Sequence, residues 1–203
     1  MEQDIKVVVF DFDNTLYSGV DWTTAWSEYC KKGLRQVFNE LSDEEFEQLL
    51  KKENITKVSN FLTVTTILKY GKDVKKWLDY RNERSCEMDF SNAFKMPNEE
   101  LYKFANKYTL YIVSNSVVKT IKEVSKYFDI DLSVFKKVIG NDYSHGITKK
   151  FFYEQIIKEE NINSSQLFVI GDDEIVDIIP ALELGANGKL IKDCTFTIED
   201  LGL

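Results

Sequence analysis

The segment Lys6 to Thr15, KVVVFDFDNT, limits what this chain can fold into more than any other stretch. Val7, Val8, Val9 and Phe10 form an unbroken apolar run, which predicts a strand buried on both faces, as in a parallel sheet covered by helices. The run stops at Asp11-Phe12-Asp13-Asn14-Thr15. Two carboxylates therefore leave the end of a buried strand, and in an open parallel sheet the carboxyl ends of the strands are where ligands bind. On an extended chain Asp11 and Asp13 lie on one side, with Phe12 opposite. Like charges so placed repel unless a cation or a shared proton sits between them, which suggests a metal.

The next stretch changes period. Trp22, Trp26, Tyr29, Cys30, Leu34, Val37, Phe38 and Leu41 recur at three- and four-residue spacings, the stripe of an amphipathic helix with a break expected near Gly33. Ser42-Asp43-Glu44-Glu45 has the spacing of a capping box, so a second helix should start there and carry Phe46, Leu49 and Leu50. Val58, Phe61, Leu62, Thr65 and Leu68 continue the pattern to a cap at Gly71, and a fourth helix is expected from Asp73 to Met88. Trp22, Trp26 and Trp77 then read as core of a small four-helix bundle.

From Pro97 helix and strand alternate, the signature of a doubly wound α/β sheet. Helices are expected over 98–107, 117–128, 151–160 and 177–184, and strands over 109–113, 135–139, 166–170 and 188–191. The helical block of residues 20–90 thus interrupts an α/β core of residues 1–19 and 91–203, and Leu16 to Val20 reads as a connector.

Three predicted strand ends carry polar groups: Asp11 with Asp13, Ser114 with Asn115, and Asp172 with Asp173. Parallel strands bring all three to one edge of the sheet, and Lys149 or Lys150, in the loop before the next helix, can reach the same crevice. That set supplies a carboxylate nucleophile, a second carboxylate for proton transfer, oxygen ligands for a hard cation, and a hydroxyl and an ammonium for an anion such as phosphate. Taken singly, each motif also reads as a turn, a helix cap or a solvated surface; their joint occurrence in order carries the argument. Tyr17 and Ser18 follow the first motif as candidates for leaving-group contact.

In this order the motifs resemble those of the haloacid dehalogenase superfamily of phosphohydrolases. DFDNT, residues 11–15, is similar to the family's DxDxT; Ser114 in IVSNS matches the second motif and GDDEIVD, residues 171–177, the fourth, with a lysine of the third between them. The resemblance runs from Ile5 to Ile191 and implies a Rossmann-type core with an α-helical cap inserted after the first strand. It implies that Asp11 attacks phosphorus to give an aspartyl-phosphate, and that Asp13 protonates the leaving oxygen and later takes a proton from water. Magnesium would be held by Asp11, the backbone carbonyl of Asp13 and Asp172, supported by Asp173 or Asp177. Ser114, Asn115 and the lysine would bind the phosphoryl oxygens, and Thr15 would brace the loop. The family often has Lys-Pro at the third motif, whereas this chain has Ile147-Thr148-Lys149-Lys150-Phe151, so Lys149 is preferred and Lys150 stays open.

The expected function is magnesium-dependent hydrolysis of a small phosphate monoester, and the DNTLY wording of residues 13–17 resembles nucleotidase-like members. Asp13 argues against a dehalogenase, since a departing halide needs no proton. A sugar-phosphate mutase and a non-catalytic binding protein on the same fold remain as alternatives. The net charge of −8 without a basic run argues against a nucleic acid polymer as partner. Cys30, Cys86 and Cys194 are scattered and suggest neither a disulfide framework nor a zinc site. His145, the single histidine, reads as a loop residue and excludes chemistry that needs a histidine pair. With no signal-peptide pattern and no apolar run near the ~18 residues of a membrane span, a cytoplasmic protein is expected.

Overall fold

The computed structural model describes residues 4–20, 22–55, 60–84, 90–140 and 148–203, without the side chains of residues 22–26, 60–62 and 82–84. Two compact units result, Val20–Ser91 and the pair of segments Met1–Gly19 and Asn92–Leu203. Among the described residues no helix is long and apolar enough to cross a membrane. His145, Cys86, Val58 and the side chains of Trp22, Trp26, Phe61 and Leu62 lie outside what is described.

The helical unit comprises α1 (Trp22–Val37), α2 (Asp43–Lys52), α3 (Asn60–Lys69) and α4 (Val74–Arg84). At the start of α2 the Ser42 hydroxyl accepts from the Glu45 N–H at 3.3 Å and the Glu45 carboxylate accepts from the Ser42 N–H at 2.7 Å, the capping box expected from the sequence. Leu34, Phe38, Phe46, Leu50, Ile67 and Trp77 meet in one core, with the Trp77 ring stacked on Tyr80 at 6.0 Å. The α4 helix is described to Arg84; the expected continuation to Met88 falls on residues outside the description.

The break expected near Gly33 is absent: α1 runs through it unbroken. Glycine stands there for close packing, since a Cβ on Gly33 would lie 2.1 Å from the Trp77 ring and 2.9 Å from Tyr80. Gly33→Ala should therefore destabilise the helical unit by about 1–3 kcal/mol, although alanine is the better helix former by about 1 kcal/mol. Urea denaturation checks this, and a variant as stable as wild type would show that the indole moves aside at no cost.

The second unit holds strands β1 (Val7–Phe10), β2 (Tyr17–Ser18), β3 (Phe94–Lys95), β4 (Thr109–Val113), β5 (Phe135–Ile139), β6 (Leu167–Gly171) and β7 (Asn187–Leu190). Five of them form a parallel sheet in the order β5-β4-β1-β6-β7. Helices α5 (Asn98–Lys107), α6 (Val118–Phe128), α7 (Lys149–Glu159) and α8 (Ile179–Leu182) complete it. All four residues of β1 are buried, as the apolar run predicts. Val7 and Val9 pack with Tyr153 and Ile156 of α7, while Phe10 meets Phe104 of α5 edge-on at 5.1 Å. From β1 the chain builds outward through β4 to β5, then crosses back to β6 and β7. The strand order thus reverses between β1 and β6, and the crevice for a ligand lies at their carboxyl ends.

Three differences from expectation bear on the strand ends. The connector after Thr15 contains β2, paired antiparallel with β3, which joins the two points where the helical unit is inserted; two-residue strands are too short for periodicity to reveal. Helix α7 starts at Lys149 rather than Phe151, because Thr148 is extended and serves as its cap, so both lysines lie in its first turn and not in a loop. The helix expected over 177–184 starts earlier, as a π-helical turn at Glu174–Ile178 that leads into α8.

Candidate active site

Asp11 directly follows β1, and its N–H donates to Ile170 O at 2.8 Å, so the β1–β6 ladder extends to the carboxylate. Asp172 directly follows β6. Ser114 follows β4, with its N–H donating to Ile139 O of β5 at 2.9 Å. Parallel pairing therefore places all three strand ends at one edge, and α7 delivers Lys149 to the same place.

Carboxylate oxygens of Asp11, Asp172 and Asp177 lie within 4.8 Å of one another. Lys149 donates to Asp11 Oδ1 at 2.6 Å and also to Asp177 Oδ1, and all three of these groups are buried. Lys150 faces away, half-exposed, and pairs with Glu183 at 2.8 Å. Close approach of Asp177 depends on Gly171: a Cβ there would fall 2.3 Å from Asp177 Oδ2. Burial pushes the Asp11 carboxyl up to about 8, Lys149 draws it down, and Asp177 and Asp13 add to the rise. For Lys149, burial works against the charge, but Asp11 and Asp177 outweigh it and hold the ammonium well above its usual range. Burial also raises Asp172, against a hydrogen bond from Asn14.

Asp13 lies apart from this cluster. The strand ends at Phe10 and the chain turns at Asn14, which takes a left-handed conformation (φ 57°). The Asp13 carboxylate instead accepts from the Tyr17 hydroxyl at 2.5 Å on Oδ1, and from Ser116 Oγ at 2.6 Å on Oδ2, with Ser114 Oγ at 3.4 Å. Burial raises its carboxyl above the ordinary value, and the hydroxyls of Ser116 and Tyr17 work the other way.

The remaining expected residues divide. Asp173 accepts from the N–H groups of Ile175 and Val176, at 2.9 and 3.0 Å, and so caps the π-helical turn; its own N–H donates to Asp177 Oδ2 at 3.1 Å. It thereby holds in place the residue that faces Lys149. Asp177, expected only in a supporting role, stands within the carboxylate cluster itself. Asn115 is exposed beside Ser114. Thr15 is buried, and its hydroxyl has no hydrogen-bond partner among the described residues, so any bracing by Thr15 comes through its backbone N–H, 3.3 Å from Phe12 O.

Two participants are not singled out by the sequence, and a third, Tyr17, takes a different part from the one expected. Asn14 donates to Asp172 Oδ2 at 3.0 Å; its position between Asp13 and Thr15 signals only a turn. Ser116 resembles any serine at a helix start, and Tyr17 was considered only for leaving-group contact.

The cluster sets three carboxylates against one ammonium. An excess of buried negative charge with oxygen donors suits a hard divalent cation, and Asp11, Asp172 and Asp177 are the side chains that would hold it.

A sequence model of the haloacid dehalogenase-like hydrolase family matches residues 8–189. No curated protein sequence matches the chain. Among solved structures, a haloacid dehalogenase-like hydrolase from Streptococcus pneumoniae is 19% identical over 98% of this chain and 90% of its own, with a TM-score of 0.58. A protein from Haemophilus somnus described as a predicted phosphoglycolate phosphatase is 18% identical over 91% and 84%, with a TM-score of 0.58. An enzyme from Bacteroides thetaiotaomicron, in complex with magnesium and inorganic phosphate, is 21% identical over 97% and 98%, with a TM-score of 0.52. At these identities the solved structures establish the shared fold, and the sequence match, which spans most of the 203 residues, establishes the family: the chain belongs to the haloacid dehalogenase-like hydrolases.

Proposed function

We propose that the protein is a magnesium-dependent phosphatase acting on a small phosphate monoester through an aspartyl-phosphate. The observation that carries this reading is the separation of two aspartates at one strand end, Asp11 against an ammonium and Asp13 against hydroxyls. An Asp11 oxygen attacks phosphorus as the bond to the leaving oxygen breaks, and Asp13 gives its proton to that oxygen. Water then attacks the aspartyl-phosphate, Asp13 takes the water's proton, and inorganic phosphate leaves with Asp11 regenerated. Lys149, Ser114 and Asn115 would bind the phosphoryl oxygens as charge builds on them. Magnesium, held by Asp11, Asp172 and the Asp13 carbonyl with Asp177 beside them, would supply charge neutralisation for the phosphoryl group.

The magnesium and inorganic phosphate bound by the Bacteroides enzyme, and the phosphatase description of the Haemophilus protein, support the reading. Choice of leaving group belongs, on this reading, to the inserted helical unit, and the DNTLY wording favours a nucleoside monophosphate. The free, buried thiols of Cys30 and Cys194 agree with a reducing, cytoplasmic setting.

Phosphate release from a panel of nucleotides, sugar phosphates and p-nitrophenyl phosphate is expected with magnesium and should stop with excess chelator. Release that persists in chelator would remove the metal from the reading, and no release from any ester would overturn it. An isomerised sugar phosphate without free phosphate would assign a mutase instead.

A further inference from the structure

The Asp13 carboxylate is held at both oxygens by hydroxyls from different parts of the fold, Tyr17 on Oδ1 and Ser116 on Oδ2. One donor would leave the group free to turn about that bond; two donors on opposite oxygens fix its plane. Tyr17 is itself held on several sides. It is fully buried, its ring stacks on Phe128 at 5.1 Å and meets Phe12 edge-on at 5.1 Å, and its backbone is paired with Lys95. Its hydroxyl is thus a fixed point set by packing, 2.5 Å from the carboxylate. Ser116 is placed independently, its N–H donating to Ser114 Oγ at 3.0 Å just beyond β4.

We propose that Tyr17 is a positioning residue for the proton-carrying Asp13, with Ser116 as its counterpart on the second oxygen; this rests on the phosphatase reading above. The chemistry of the two donors fits the task. Asp13 must act once as an acid and once as a base, and a hydroxyl donates to a carboxylate yet also accepts from a carboxylic acid. The clamp therefore persists on both sides of the proton transfer. Lysine or arginine at either place would have only donors and would favour the anion alone.

In the transfer of the phosphoryl group to Asp11, positioning of Asp13 matters only where the leaving oxygen needs a proton. Through the first irreversible step, kcat/KM reports phosphoryl transfer to Asp11, and p-nitrophenolate leaves without help whereas an alkoxide does not. Hydrolysis of the aspartyl-phosphate needs Asp13 as base whatever the ester was. In Tyr17→Phe, which keeps the ring and its packing, kcat/KM for an alkyl phosphate should fall about tenfold or more, a part of the 10²–10⁴ that general acid catalysis supplies. The same ratio for p-nitrophenyl phosphate should stay within about threefold, while kcat falls for both esters. Ser116→Ala should show the same split, and it decides the matter by the same criterion if Tyr17→Phe does not fold. Equal falls of kcat/KM on the two esters, or none on either, would overturn the proposal. Wild-type protein inactive on both esters would instead overturn the phosphatase reading, and with it the role of Asp13.

Discussion

Asp11→Asn is expected to lower magnesium-dependent phosphate release by about 10³-fold or more while leaving the protein folded, with its melting temperature at or above that of wild type. The activity side follows from chemistry: the amide keeps the shape of the carboxylate but has no anionic oxygen to attack phosphorus. The stability side follows from the surroundings. Burial, with Asp177 and Asp13 nearby, raises the Asp11 carboxyl to about 8 from an ordinary 3.8, so at neutral pH a group ionised in the unfolded chain must take up a proton to fold, which opposes folding. A group whose folded value lies above its unfolded value favours folding at low pH and loses that contribution as pH rises through the folded value. Replacing it with a neutral amide removes this cost at pH 7. Lys149 is not stranded by the change, because Asp177 still accepts from it. Thermal unfolding and phosphate release measured on the same preparation check both halves. Undiminished release would deny Asp11 its role as nucleophile, and a fall of more than about 2 kcal/mol would mean that its pairing with Lys149 outweighs the desolvation it suffers.

What the sequence revealed of this arrangement is what is encoded along the chain. The four apolar residues of β1, the capping box at Ser42, and the turn from period 3.6 to alternating strands and helices are local patterns, and the corresponding elements are present. Parallel strands deliver their ends to one edge whatever lies between, so the motif order alone brings Asp11, Ser114 and Asp172 together. The partners of those residues could not. Asn14 and Asp172 are 158 positions apart and Ser116 and Asp13 are 103 apart, and nothing in either local sequence names the other. The hydroxyls of Tyr17 and Ser116 that hold the Asp13 carboxylate are likewise not named by the motif around it. The π-helical turn escaped for a related reason. It adds a residue to the helical repeat, so a period of 3.6 cannot register it, and it is this turn that carries Asp177 to Lys149.

Lys149→Met should cost about 3–5 kcal/mol of stability at pH 7 in magnesium-free buffer and lower activity by about 10²-fold or more. Methionine matches the length of the stem, so the loss is of the ammonium. Without it Asp11 and Asp177 face each other and Asp172 with no compensating cation among the side chains of the cluster. The sign of the pH dependence follows. Removing Lys149 takes away the pull that lowers Asp11, so its folded value rises further above 3.8, and the ionised form is penalised more. The part of the deficit that comes from Asp11 should therefore be flat at lower pH and widen as pH rises through about 8, where the wild-type carboxyl ionises. Magnesium should narrow it, because a divalent cation bound by the same carboxylates neutralises them, and the rise in melting temperature on adding magnesium should be larger in the variant than in wild type. Lys150→Met provides the contrast: its pair with Glu183 is exposed, and its loss should change stability by no more than about 0.5 kcal/mol and leave activity intact. Denaturation curves at several pH values, with and without magnesium, read all of this directly. Two lysine variants with the same stability and the same activity would mean that the buried ammonium neither holds the carboxylates together nor meets the phosphoryl group.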